Sequence, residues 1–459
     1  MNLLVAFTCA LLLADEPVTD WQQFRGPAGQ GIAASSRLPV TWSDRRNIVW
    51  KTPILGLGYS SPVVRGDRVW LTTAVPDEGR LLVLALDLAS GRQLLEVPVF
   101  QHDKLWAIHW KNSHASPTPV LADGRCYVHF GSHGTAALDE DGRVLWKQRL
   151  LYYHHHGPGS SPVLSGRTLV LICDGLDHSF YDDRVIPEPI APQFVAGLDA
   201  DTGDIKWLTR REGRHSYATP LEITVEGKKQ VVCPGGSFVA AYDPETGSEL
   251  WRVRHNGYSL VPRPVFGHGL VFVCTGYDEP TLLAIRPNGS GDVTDSHVAW
   301  KSDDAVPLNP SPVLADDALL TLSDNGVLTC YEATTGKVRW KKRVGGSYSA
   351  SPLLAGQKLY MLNESGTTLV ANVGGSYKLL SRNLLDGRTL SSPSAAGHSL
   401  LLRTDSHLLR IEGAAGDDDS PDAAADDTKQ SSDNDAETSV EPAKESGIRI
   451  RGTSKKPNP

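Results

Sequence analysis

Short apolar runs broken by turn residues recur along most of this chain, with the spacing of strands rather than helices. Runs such as Leu169-Val170-Leu171-Ile172-Cys173 and Leu270-Val271-Phe272-Val273-Cys274 are bounded by Gly, Asp, Ser and Pro, and long helical periodicity is missing. Residues 240–251 show the unit in full: an apolar strand, the turn Asp243-Pro244-Glu245-Thr246-Gly247, then positions alternating toward Trp251. The Asp and Thr side chains can bond the turn backbone, and Gly247 supplies the positive φ that a hairpin needs. Imperfect copies occupy residues 197–207, 137–146 and 330–340, ending in Trp207, Trp146 and Trp340. One hairpin-and-tryptophan unit is being repeated.

A second recurring element precedes each unit: a Ser/Thr-Pro-apolar segment that runs into a strand. It appears at Ser61-Pro62, Ser116-Pro117-Thr118-Pro119, Ser161-Pro162, Thr219-Pro220, Arg263-Pro264, Ser311-Pro312, Ser351-Pro352 and Ser392-Pro393, at spacings of 40 to 58 residues. That spacing is near the length of a four-stranded propeller blade. Within a unit the order is a Ser-Pro strand (A), an apolar strand (B), a strand ending in Leu-Asp or its equivalent (C) and the strand carrying the tryptophan (D). The 366 residues of 48–413 divide into eight such units.

Trp300 and Trp340 each precede the Ser of the next Ser-Pro by 11 residues, and so does Trp50. Trp50 therefore ends a blade whose other strands lie elsewhere, and the segment 392–413 supplies three strands with no tryptophan. The expected fold is all-β: an eight-bladed β-propeller of four-stranded antiparallel blades, closed by pairing the N- and C-terminal strands. Closure removes the free edges that invite aggregation. Trp50, Trp146, Trp207, Trp251, Trp300 and Trp340 are read as the structural clasp of the repeat.

Residues 3–13 form a short apolar run ending at Ala14, followed by Asp15-Glu16-Pro17, so 1–14 reads as a secretory signal peptide. Residues 15–47 form an N-terminal segment, 48–413 the propeller, and 414–459 a polar tail. The tail holds 11 acidic and 6 basic residues, which leaves the body at a net charge of only −3 of the total −8. With a body so near neutral nothing argues for nucleic-acid binding, and the tail cannot bury enough surface to order itself. No transmembrane segment is expected, and the chain is expected to be an exported monomer of the periplasm or cell envelope. The cysteines outside the leader, Cys126, Cys173, Cys233, Cys274 and Cys330, each sit in apolar runs and read as buried thiols.

The pattern Ala-x-Asp-x-x-Thr-Gly-x-x-x-Trp of residues 241–251 and its copies resembles the pyrroloquinoline-quinone-repeat propellers, over nearly all of residues 21–413. Trp21-Gln22-Gln23-Phe24-Arg25-Gly26-Pro27 resembles the N-terminal segment of exported members of that family. The resemblance implies one of two activities. One is that of the quinone-dependent alcohol dehydrogenases, with pyrroloquinoline quinone on calcium in the central channel and a carboxylate base. The other is that of the exported scaffold lipoprotein that assists outer-membrane barrel assembly. The dehydrogenases carry adjacent cysteines, and this chain has none.

In an up-and-down blade the D–A and B–C connections share one face, and the long insertions, 97–115, 150–159 and 176–193, all fall there. That face is read as the working surface, with Trp110, His114, His155, Asp177, Tyr258, Arg263, Tyr277 and Asp278 as candidate binding residues. His154-His155-His156 with His109 and His114 offer imidazoles to a transition metal, but consecutive histidines entering a strand alternate in direction and cannot all face one ion. Asp177, His178, Asp182 and Asp183 offer oxygens to calcium at a spacing that matches no defined loop, so no metal is assigned. The expectation is a non-catalytic binding or scaffold protein without cofactor, whose partner is a protein or cell-envelope polymer. The alternative is a quinone- and calcium-dependent dehydrogenase, with pyrroloquinoline quinone (PQQ) and calcium as its cofactors.

Overall fold

The computed structural model describes residues 20–176 and 190–413. The leader 1–14, the tail 414–459 and the candidate residues Asp177, His178, Asp182 and Asp183 lie outside them. The described chain forms eight sheets: residues 63–101 (blade 1), 120–148 (blade 2), 163–210 (blade 3), 221–254 (blade 4), 265–302 (blade 5), 313–343 (blade 6), 353–384 (blade 7) and 394–411 (blade 8). Ile48–Pro53 completes blade 8, with Trp50 opposite Arg410 and Lys51 opposite Leu409. The ring closes through its N-terminal strand. Blades 4 and 7 each gain a short parallel fifth strand, Gly291–Asp292 and Ile32–Ala33.

The strand patterns follow from position in the blade. Strands B and C lie between neighbouring sheets, so Arg68–Val75 and Arg80–Asp87 are buried at every interior position, and Thr168–Asp174 throughout. Strand D is the outer edge, and in Val144–Gln148 and Ile205–Arg210 the tryptophan is the one buried position. In all eight blades the C–D pairing shifts register by a bulge, which strengthens the local twist. Beneath the indoles sit small residues: Ala137 under Trp146, Gly197 under Trp207 and Ala284 under Trp300.

Each clasp reaches into the next blade. Trp50 Nε1 donates to Leu88 O (2.9 Å), Trp146 to Ala200 O (3.0 Å), Trp207 to Pro244 O (2.9 Å) and Trp300 to Ala333 O (2.9 Å). The ring faces the turn glycine of that blade. A Cβ on Gly203 (φ +78°) would stand 2.5 Å from the Trp146 indole, and one on Gly91 (φ +70°) 2.5 Å from Trp50. The Thr-Gly of the repeat is therefore required twice, for its backbone and for its bareness. Two clasps depart from the expectation. Trp251 is fully buried but donates to Gln230 Oε1 of its own blade, because the C–D connection of blade 5 is an insertion that includes Thr294–His297. Trp340 is only half-buried and faces Tyr377, its ring centroid 6.5 Å away.

The five cysteines are buried and free. Among the described residues no helix is long and apolar enough to cross a membrane.

Candidate functional site

The two long-loop families do share a face. D–A loops bridge to B–C loops at Leu57 with Ala74, Tyr153 with Leu176, Arg214 with Gly236 and Tyr258 with Tyr277. At the centre of that face a cavity of about 390 Å³ opens into the channel.

The Ser/Thr-Pro elements form the wall of this channel. At six of the eight positions the backbone N–H donates to the hydroxyl of the corresponding residue in the next blade: Ser61 to Thr118 (3.0 Å), Thr118 to Ser161 (2.9 Å), Ser161 to Thr219 (3.0 Å), Arg263 to Ser311 (2.9 Å), Ser311 to Ser351 (3.0 Å) and Ser351 to Ser392 (2.9 Å). The following proline removes a donor that an inner edge strand would leave unpaired. Extended backbone alternates its side chains, so the residue two places earlier faces the channel as well. Those residues make a second ring above the hydroxyls, including Tyr59, Tyr217, Val261, Asn309, Ser349 and Leu390.

Residues 21–31 lie across the opposite end of the channel. Trp21 pairs with Val64 of blade 1, Leu121 N of blade 2 donates to Gln22 O (2.8 Å), and Leu354 N of blade 7 donates to Gly31 O (2.8 Å). Phe24 faces the cavity from this floor. Arg25 donates to Pro312 O (2.7 Å) and Gln30 O (2.8 Å). Arg263 takes the place of a belt hydroxyl and donates to Pro220 O (2.9 Å), Gln23 Oε1 (3.1 Å) and Phe24 O. Arg403 donates to Ser60 O (3.1 Å), Ser60 Oγ (2.7 Å) and Thr72 O (2.9 Å), where blade 8 meets blade 1. Burial pulls all three guanidiniums down to about 9, and for Arg25 the neighbouring Arg263 adds to the effect.

Arg263 is thus corrected from a residue of the channel mouth to a buried anchor of the floor. The remaining candidates divide. Trp110 stands on the rim, 74 % exposed, with the Arg388 guanidinium 5.5 Å from its ring. Its loop is held by His109 N to His156 O (3.3 Å), by Asn112 Nδ2 to His156 O (3.0 Å) and by a Lys111–Glu364 pair (2.7 Å). Tyr258 lies under the Arg214 guanidinium at 3.6 Å, Arg214 pairs with Asp278 at 2.9 Å, and Tyr277 completes that edge.

His114 is buried rather than exposed on the face. It packs on His133 (5.4 Å between centroids), which meets His154 (5.3 Å), with Trp106 5.1 Å from His154. His155 belongs to a second group with His156 (4.3 Å) and His215 (5.7 Å), and His156 stacks on Tyr217 (5.5 Å, 15°). Residues 154–156 form a turn rather than the start of a strand. Burial, with His102 adding to it, lowers His114 to about 4, and burial, with His114 and His129 adding to it, lowers His154 to about 3, so these rings are neutral at ordinary pH. Among the described residues no group of three or more His, Cys, Asp or Glu side chains is placed to hold a metal ion.

The donor set of this cavity does not suit calcium. Calcium takes oxygen ligands including carboxylates, and the described lining contains no Asp or Glu. Of its two asparagines, Asn112 Oδ1 accepts from Ser113 N (2.8 Å), and Asn309 is held by its Nδ2, which donates to Asp324.

A family model described as outer membrane protein assembly factor BamB matches residues 96–293 and 289–376. The BamB of Burkholderia pseudomallei is 25 % identical over 382 residues, covering 78 % of this chain and 85 % of that protein. The quinohemoprotein alcohol dehydrogenase ADH-IIG of Pseudomonas putida is 30 % identical over 146 residues, covering 29 % of this chain and 19 % of that protein. Matches to the first curated relatives span from 19 % to 51 % of their lengths. Among solved structures, BamB from Moraxella catarrhalis superposes with a TM-score of 0.55 at 14 % identity, over 79 % of this chain and 99 % of that one.

Proposed function

The chain belongs to the family described as outer membrane protein assembly factor BamB, and from that premise we propose that it is an exported, non-catalytic scaffold of the cell envelope whose D–A/B–C face binds a protein partner. The observation that carries this reading is Trp110. A tryptophan 74 % exposed, on a loop already fixed by hydrogen bonds, is a large apolar anchor whose ordering cost has been met before any partner arrives. Leu55 and Tyr277, 43 % and 38 % exposed, extend the apolar surface across the same face. The absence of carboxylates from the described lining supports the non-catalytic reading over a quinone dehydrogenase.

Two measurements test this. Immobilised protein is used to capture partners from envelope extracts, and Trp110→Ala is expected to lose the captured protein while keeping the wild-type melting temperature. Equal capture by the variant removes Trp110 as the anchor. The protein is also incubated with calcium and PQQ, gel-filtered and assayed for dye-linked alcohol oxidation. Stoichiometric retention with turnover overturns the non-catalytic reading.

A further inference from the structure

The channel holds chemistry that a protein-docking rim does not need. One wall is aromatic: Tyr217 and Tyr258 on the loops entering blades 4 and 5, Tyr277 beside Tyr258 (6.3 Å between centroids), and His156 stacked on Tyr217. The adjoining wall, on blades 6 and 7, is polar: Asn309, Ser311, Ser349 and Ser351. Below both runs the hydroxyl belt. The hydroxyls of Thr118, Ser161, Thr219 and Ser392 each accept a backbone N–H, yet their own hydrogens meet no acceptor among the described residues, and Ser61 Oγ has no partner.

The lining itself carries no negative charge, and the carboxylates of Asp324 and Glu364 lie behind it, bonded to Asn309 and Ser349. No described lining residue is acidic, and Lys111 stands at the mouth, its partner Glu364 lying outside the lining. Arg25, Arg263 and Arg403 are 3 %, 1 % and 2 % exposed, and every acceptor they meet is a carbonyl, a side-chain amide oxygen or a hydroxyl. Two nitrogens of Arg25, Nε and Nη1, have no acceptor among the described residues. The contrast is Arg211, equally buried but bonded to Asp174 through both carboxylate oxygens. Three buried cations without a carboxylate are costly unless something negative comes near, and low-dielectric walls focus their field into the channel.

We propose that this cavity binds a small anionic saccharide, with the sugar's C–H face on the tyrosine wall, its hydroxyls on the Ser/Thr belt, and its carboxylate or phosphate in the field of Arg25, Arg263 and Arg403. About 390 Å³ lies within the usual range of small-molecule sites, roughly 300–1,000 Å³. This site lies below the Trp110 rim, shares Tyr277 with the docking face but not Trp110 itself, and does not depend on the scaffold reading.

The test is calorimetric titration and saturation-transfer NMR of the full chain with D-glucuronate, glucose 6-phosphate, glucose and inorganic phosphate. At least one anionic sugar is expected to bind about tenfold or more tighter than both glucose and inorganic phosphate, and to weaken as salt rises. The glucuronate and glucose 6-phosphate arms decide between carboxylate and phosphate. Val261→Asp, which adds a negative charge to the upper ring, is expected to abolish binding, with Val261→Asn affected far less, and melting curves confirm that both fold. Glucose binding as tightly as the anionic sugars, neither anionic sugar binding, or indifference to Val261→Asp overturns the proposal. Trp110→Ala is expected to bind the sugar normally, so failure here is distinguishable from failure of the docking face.

Discussion

The pairing of Trp50 with Gly91 makes a quantitative prediction about how one blade is clasped to the next. Trp50 is 8 % exposed, covers Gly91 and donates to Leu88 O across the boundary between blade 8 and blade 1. Truncation to alanine removes a packed aromatic, a loss of about 3–5 kcal/mol. Gly91→Ala acts from the other side. Its Cβ meets the indole at 2.5 Å, an overpacking of about 1–3 kcal/mol, and φ +70° adds roughly 1–2 kcal/mol for any residue bearing a Cβ. In the Trp50→Ala background the clash with the indole is gone, and only the backbone cost and a contact with Thr52 Oγ1 at 2.8 Å remain. The double variant is therefore expected to be less destabilised than the sum of the singles by about 1–3 kcal/mol. Urea unfolding of the four proteins, with slopes compared so that only midpoints carry the difference, measures this coupling. Additivity within about 0.5 kcal/mol would refute the clasp, and an unchanged Trp50→Ala unfolding curve would refute closure through the N-terminal strand.

Two further predictions concern buried ionisable groups. His129 and His154 are fully buried, with burial lowering them to about 4 and about 3, below the ordinary 6.5. The unfolded chain therefore takes up protons that the fold refuses, so stability is complete above pH 6.5 and falls as pH drops toward 4. Between pH 6.5 and 5 these two rings should cost about 3 kcal/mol together, read as a shift in urea midpoint that His154→Gln diminishes. Asp174 and Arg211 form a fully buried bidentate pair. Asp174→Asn should destabilise by about 3–5 kcal/mol by leaving the guanidinium uncompensated, and a midpoint within experimental error of wild type would show that the carbonyls of Cys233 and Pro234 suffice.

The ring was legible because its rules are local and repeated. Strand, turn glycine and tryptophan recur at fixed offsets, and the same offsets exposed Trp50 as a displaced copy. Trp251 broke the pattern because its recipient turn is replaced by an insertion, a difference that lies 40 residues downstream rather than around the tryptophan itself. The cavity was only half legible. Tyr59, Tyr217 and Asn309 look unrelated along the chain, yet each stands two residues before a belt position. Phasing the chain on the Ser/Thr-Pro element would have found them. Arg263 carried its own signal as the one belt position without a hydroxyl. Its place on a D–A connection suggests the mouth of the channel with Tyr258, whereas its guanidinium turns to Pro220, Gln23 and Phe24.

What no local rule revealed is the role of residues 21–31, because their partners are remote: Pro312 lies 287 positions from Arg25 and Phe266 236 positions from Gln30. The segment has neither strand nor helix periodicity, since it is shaped by the channel it crosses. Its position makes the two faces of the ring unequal. An open propeller channel is accessible from both sides, whereas here the A–B end is spanned by backbone anchored on Arg25 and Arg263. The D–A/B–C end is then the entrance, and the loops that surround it differ most from blade to blade. Asp20 caps the A–B turn of blade 1 through Gly66 N (2.9 Å), and Gly413 packs on Pro39 at the end of strand C in blade 8. Both ends of the described chain therefore leave from the face opposite the cavity.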